Sequence, residues 1–111
     1  MKYQGSKNRI AKHILPIILK DRKEGQWYVE PFCCGCNTID KVTGNRLASD
    51  SHSELIAMFK ELQKGWIPPK EVSEEEYRTI RRSVAKDNFN YLKGYVGFNL
   101  SFSGKWWGRL C

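Results

Sequence analysis

The sequence holds no long hydrophobic run: nothing approaches the roughly 20 apolar residues of a membrane-spanning helix, and no signal-peptide pattern precedes the first helical segment. The expected compartment is therefore the cytoplasm, with no membrane partner. Histidine is scarce, with His13 and His52 each alone in its stretch. Of four cysteines, three crowd into Cys33-Cys34-Gly35-Cys36 and the fourth is Cys111. A zinc site calls for four ligands in paired spacings, which this pattern does not offer, so no metal is expected. Adjacent cysteines rarely bridge one another. The thiols read instead as small, buried, reduced groups lining a loop. No internal repeat, low-complexity tract or linker divides the chain. Its 111 residues suffice for one small domain with a modest core.

What is present is basic. Nineteen Lys and Arg against twelve Asp and Glu leave a net charge of +7, with a pI near 9.4. That balance favours a polyanionic partner, although a basic solvated surface has the same composition.

Residues 7 to 20 place Ile10, Ile14, Leu15, Ile17 and Ile18 at helical spacing, with Ser6 as the candidate N-cap and Pro16 predicting a kink or two short helices. Trp27-Tyr28-Val29-Glu30 reads as a buried strand, residues 37 to 42 as a short helix, and residues 46 to 50 as a second strand. Residues 53 to 64 repeat Leu55, Ile56, Met58, Phe59 and Leu62 on one helix face, stopped by Gly65-Trp66-Ile67-Pro68-Pro69. Ser73 and Glu76 form a capping box for a helix that turns Tyr77, Ile80 and Val84 inward and Arg78, Arg81, Arg82 and Lys86 outward. Those cations face either phosphates or solvent. A last helix over 89 to 98 leads to a tail in which Lys105 and Arg109 interleave with Trp106 and Trp107. Such a tail can stack on bases and pair with phosphates, or plug against the fold as a half-buried aromatic cluster.

The densest chemistry lies in Tyr28-Val29-Glu30-Pro31-Phe32-Cys33-Cys34-Gly35-Cys36-Asn37, with Tyr3-Gln4-Gly5-Ser6-Lys7 before it and Asp50 after it. A short strand enters a loop of small residues, and an acid follows about 20 residues past the first strand's end. In a β-loop-α-β unit the loop backbone approaches a nucleotide-type ligand, and such an acid accepts hydrogen bonds from a ribose diol.

Three segments, in order, resemble the Dam-like, D12-class DNA adenine-N6 methyltransferases, in particular the N-terminal part of phage and prophage members. Lys2-Tyr3-Gln4-Gly5-Ser6-Lys7 is similar to the family's K-[WY]-x-G-[GS]-K opening. Glu30-Pro31-Phe32 and the small residues after it resemble its E-P-F-x-G-x-[GA] loop, and Ala48-Ser49-Asp50 its ribose-binding segment. The resemblance implies an α/β, Rossmann-like fold that uses S-adenosylmethionine to methylate adenine in DNA. It implies cofactor contacts at Tyr3, Gly5, Lys7, Glu30, Pro31, Phe32, Gly35 and Asp50, and nucleic-acid contacts at Lys105, Trp106, Trp107 and Arg109. Asp50 suits the ribose and Lys7 the carboxylate of the amino-acid end, while Glu30 either braces the loop or attracts the cationic end. On this reading residues 1–98 are the cofactor-binding part of the domain and residues 99–111 begin a target-recognition region.

Two departures carry expectations. Position 34 is Cys where the family usually has Gly, so a positive φ there would cost affinity. The family's [DN]-P-P-[YF] motif, which holds the amine of a flipped adenine, is missing; the only Pro-Pro is Pro68-Pro69, followed by Lys70. No residue here is assigned to catalysis. The chain is expected to be an incomplete fragment, inactive alone, that exposes part of its sheet and is completed by a second polypeptide or is a relic. The rival readings are a subunit completing or inhibiting another methyltransferase chain and a non-enzymatic nucleic-acid-binding module.

Overall fold

A computed structural model describes residues 1–83 and 90–110. Two compact units divide the chain: Gly5–Ser51, and Met1–Gln4 with His52–Cys111.

In the first unit, helix α1 (Ala11–Ile18) precedes strands β1 (Tyr28–Glu30) and β2 (Arg46–Ala48), which pair in parallel with Tyr28 opposite Arg46, Val29 opposite Leu47 and Glu30 opposite Ala48. Helix α1 begins later than its apolar pattern predicts. The Ser6 hydroxyl is engaged by the Asn8 amide and, at 2.6 Å, by the Asn37 side chain, and a turn on the Lys7 carbonyl leads into the helix at Ala11. Pro16 sits inside one continuous eight-residue helix, not at a break between two. The predicted helix over 37 to 42 contracts to a 3₁₀ turn, Ile39–Lys41.

Arg22 closes the amino ends of the strands, donating to the carbonyls of Gln26, Thr43 and Asn45 at 2.8–3.2 Å. Its fork of five donors suits several carbonyls at once. Ala11, Leu15 and Val42 form the core, with Leu19 and Tyr28 against it.

The strand expected to be buried is not. Trp27, Val29 and Leu47 are 62%, 56% and 55% exposed, and of β1 only Glu30 is buried. Parallel strands are ordinarily covered on both faces. Here the paired Val29 and Leu47 present an open apolar face.

The second unit is helical: α2 (Ser53–Gln63), α3 (Glu74–Arg82) and α4 (Asn90–Asn99). Helix α2 buries Leu55 and Met58 fully and half-buries Ile56 and Phe59, but Leu62, predicted on the same face, is exposed at the helix's last turn. Its N-cap is His52, whose Nδ1 accepts from the Leu55 amide at 3.3 Å. Helices α2 and α4 touch at Gly94, where a β-carbon would stand 2.2 Å from the Glu54 carbonyl oxygen. Leu55, Met58 and Phe98 centre the core, ringed by Tyr3, Phe59, Trp66, Tyr91, Tyr95 and Trp106.

The capping box on α3 forms as predicted, the Ser73 hydroxyl accepting from Glu76 N–H and the Glu76 carboxylate from Ser73 N–H. Tyr77 is buried and reaches Ser101 and the Gly108 carbonyl through its hydroxyl, at 2.6 and 2.7 Å. Arg78, Arg81 and Arg82 are exposed. Val84 and Lys86, predicted to lie on the same helix, fall outside the described residues, as does Phe89. Among the described residues no helix is long and apolar enough to cross a membrane.

Candidate functional site

Three separate segments of the first unit meet beyond the carboxyl ends of β1 and β2. Past Glu30, the chain turns through Pro31 to Cys36. The ladder continues beyond both strands, Ser49 N–H reaching the Glu30 carbonyl and Cys33 N–H the Ser49 carbonyl, each at 2.9 Å. Asp50 therefore arrives beside the loop, and its Oδ2 accepts from Cys34 N–H at 3.0 Å. The segment after Gly5 closes on the same loop. Lys7 Nζ points to the Phe32 carbonyl at 3.5 Å, Ser6 accepts from Asn37, and Lys41 donates to Asn8 Oδ1 at 3.2 Å. Lys7 and Asp50 are thus brought to the loop that carries Pro31, Phe32 and Gly35, and Gly5 lies two residues before Lys7. Tyr3 belongs to the other unit, where it packs on Phe98 with ring centroids 4.9 Å apart.

Glu30 has a bracing position. It is buried, its Oε1 accepts from the Thr38 hydroxyl and its Oε2 from Ile39 N–H at 3.1 Å, so it holds the start of the 3₁₀ turn. Sequence reasoning missed Thr38, and also Asn37 as the tie to Ser6. No local pattern flags either residue, because each acts through a partner 8 or 31 positions away.

The loop is tight. Cys36 N–H donates to the Cys33 carbonyl at 2.8 Å, closing a turn with Cys34 and Gly35 at its corners. Cys34 has φ 49° and Cys36 φ 57°, both left-handed, whereas Gly35 has no positive φ. The positive φ anticipated at position 34 is therefore present, and a residue with a β-carbon occupies it. Glycine stands one position later, where the turn does not require it. Two non-glycine residues held left-handed within four positions are the kind of backbone strain that gathers at ligand-binding loops.

Burial and nearby charges shape the thiols. Cys33 is pushed up chiefly by burial. Cys36 is pushed up to about 12, again chiefly by burial, with Cys33, Glu30 and Asp40 adding to it. The Cys33 and Cys36 thiols are neutral at ordinary pH, so the loop is made of small side chains bordered by the Asp50 carboxylate and the Lys7 ammonium.

A half-exposed carboxylate, a half-buried lysine and a loop of small residues fit a ligand with a diol and a carboxylate. The exposed Phe32 ring offers an aromatic surface beside them. In the second unit, Trp106 packs between Phe98 and His52, with centroids at 4.6 and 4.3 Å, and Trp107 sets its edge on Tyr77. Lys105 and Arg109 are exposed.

These features define a mixed helix-and-strand protein with a candidate ligand site where two parallel strands end, the position such sites favour. The family model of the D12 class N6 adenine-specific DNA methyltransferases matches residues 3–104, and the chain belongs to that family. The family methylates adenine in DNA and uses S-adenosylmethionine. No curated protein and no solved structure matches the chain.

Proposed function

We propose that this chain supplies the S-adenosylmethionine-binding part of a phage- or prophage-type DNA adenine-N6 methyltransferase with a Rossmann-like sheet. The observation that carries the reading is the convergence of Gly5–Lys7, the 31–36 loop and Asp50 in one unit, tied by the Lys7–Phe32 and Cys34–Asp50 contacts. Asp50 would receive the ribose hydroxyls, Lys7 the carboxylate of the amino-acid end, and Phe32 the adenine face. Glu30 acts indirectly, by setting the turn that follows the loop. When bound, the cofactor supplies the methyl group. The chain's own residues orient it, and proximity then contributes most of the rate.

Residues 1–111 hold no Asp-Pro-Pro-Tyr motif. A segment carrying that motif would complete the site by supplying the adenine pocket. The open face of Val29 and Leu47 favours that completing segment over a free-standing module. Residues 1–98 would then carry the cofactor part, and Lys105, Trp106, Trp107 and Arg109 would lead into DNA recognition in the cytoplasm.

Calorimetric titration with S-adenosylmethionine tests the central claim, with Asp50→Asn beside the native sequence. The substitution keeps an acceptor for Cys34 N–H while removing the charge. A hydrogen bond to a charged group contributes about 1.5–3 kcal/mol, so affinity should fall roughly 10- to 100-fold. Equal affinity in both proteins, or no binding by folded native protein, overturns the assignment.

A further inference from the structure

Cys33 and Cys36 stand in Cys-x-x-Cys spacing at the two ends of one hydrogen-bonded turn. Ends of such a turn lie within 7 Å between Cα atoms, a span that overlaps the roughly 4.4–6.8 Å a disulfide requires. The backbone hydrogen bond from Cys36 N–H to the Cys33 carbonyl, at 2.8 Å, holds the two residues at the ends of that turn. Cys34 occupies the corner between them, its amide committed to Asp50. All three thiols are free.

We propose that Cys33 and Cys36 are a reversible dithiol–disulfide pair, oxidised by exchange with a small disulfide of the glutathione class. Cys36, the less buried of the two, attacks as its thiolate on one sulfur of the small disulfide. That S–S bond breaks, and the released thiolate takes a proton. Cys33 then attacks the protein-bound sulfur of the mixed disulfide, forming the Cys33–Cys36 bond and expelling the second small thiol. Two protein thiols are oxidised, and one small disulfide is reduced to two thiols. Burial keeps the thiolate fraction low, so exchange is slow near neutrality and quickens with pH. A basic thiol is also a poor leaving group, which makes the bond slow to reopen once formed. The pair lies at the proposed cofactor loop but does not depend on cofactor binding.

The test is performed on the native chain, equilibrated with oxidised glutathione at about pH 8.5 long enough for the small thiolate fraction of these buried thiols to react. It is then alkylated without reduction and digested with trypsin. Residues 24–41 release all three loop thiols in one peptide. The expected product lacks two hydrogens and carries one alkyl group, on Cys34, and reduction with a dithiol restores three alkylation sites. A Cys34→Ser variant should form the same bond. A stable glutathione adduct on any loop cysteine, a bond that includes Cys34 or Cys111, or three alkylated thiols would each overturn the proposal.

Discussion

Replacing Cys34 with glycine should stabilise the Gly5–Ser51 unit, contrary to the usual effect of adding glycine. Cys34 is held at φ 49°, its amide fixed by Asp50 and its turn by the Cys36-to-Cys33 hydrogen bond, so the chain cannot relax toward negative φ without losing both. A β-carbon in the left-handed region costs about 1–2 kcal/mol. Glycine removes that cost but enlarges the unfolded ensemble, which takes back about 0.4–1 kcal/mol. The net gain is about 0.5–1 kcal/mol, or roughly 3–6 °C in Tm for a unit of this size. Cys34→Ala is the necessary control, since it keeps the β-carbon and deletes only the sulfur. Urea denaturation, with hydrogen exchange followed at the Cys33, Cys36 and Ser49 amides, reports on this unit specifically. The order should be Gly above Ala. If Ala equals or exceeds Gly, backbone strain at position 34 is not what distinguishes this loop from its family's pattern.

Other consequences are equally direct. Gly94→Ala places a methyl 2.2 Å from the Glu54 carbonyl, so α2 and α4 must separate; a loss of about 2–3 kcal/mol, partly offset by about 1 from helix propensity, should appear as a lower denaturation midpoint. Glu30→Ala orphans the Thr38 hydroxyl and the Ile39 amide and should cost about 2–4 kcal/mol in thermal unfolding, with Glu30→Gln milder because one acceptor survives. For Cys36, raised from 9.0 to about 12, the stability contribution is complete below about pH 9 and is lost as pH climbs toward 12, because only the unfolded thiol ionises in that window. Iodoacetamide at about pH 8 should therefore modify Cys36 some 10³-fold more slowly in the folded chain than after unfolding, as mass spectrometry of the tryptic peptide would show.

Local signals were legible where one segment decides the outcome. The α2 face and the Ser73–Glu76 box depend on residues within a turn or two of each other; the box forms as its spacing predicts, and the face does so up to Leu62, which is exposed. Helix α1 starts late because Ser6, the obvious cap, is drawn to Asn37 across 31 positions, and no window on the sequence contains both. His52 is a poor cap by type, yet its Nδ1 accepts from the Leu55 amide and caps α2. Strand β1 has the composition of a buried strand, but composition does not reveal whether a partner surface exists. At the candidate site the three motifs were readable as residue types. Their mutual ties were not, since Cys34 meets Asp50 through its backbone amide, which every residue except proline carries.

That last contact couples the two properties expected of the site. The carboxylate proposed to receive a ribose also fixes the turn beside it, so loop geometry and ligand affinity share one residue. In a loop with glycine at position 34 the turn would be comfortable without Asp50. Here the β-carbon makes the left-handed conformation costly, and the Asp50 bond offsets part of that cost. Losing Asp50 should therefore disturb this chain more than losing the corresponding acid would disturb a glycine-bearing loop. In a double-mutant cycle, Cys34→Gly should recover the loop-stability part of the Asp50→Ala defect while leaving the ribose part intact. The coupling energy then separates the structural role of Asp50 from its binding role, which neither substitution does alone.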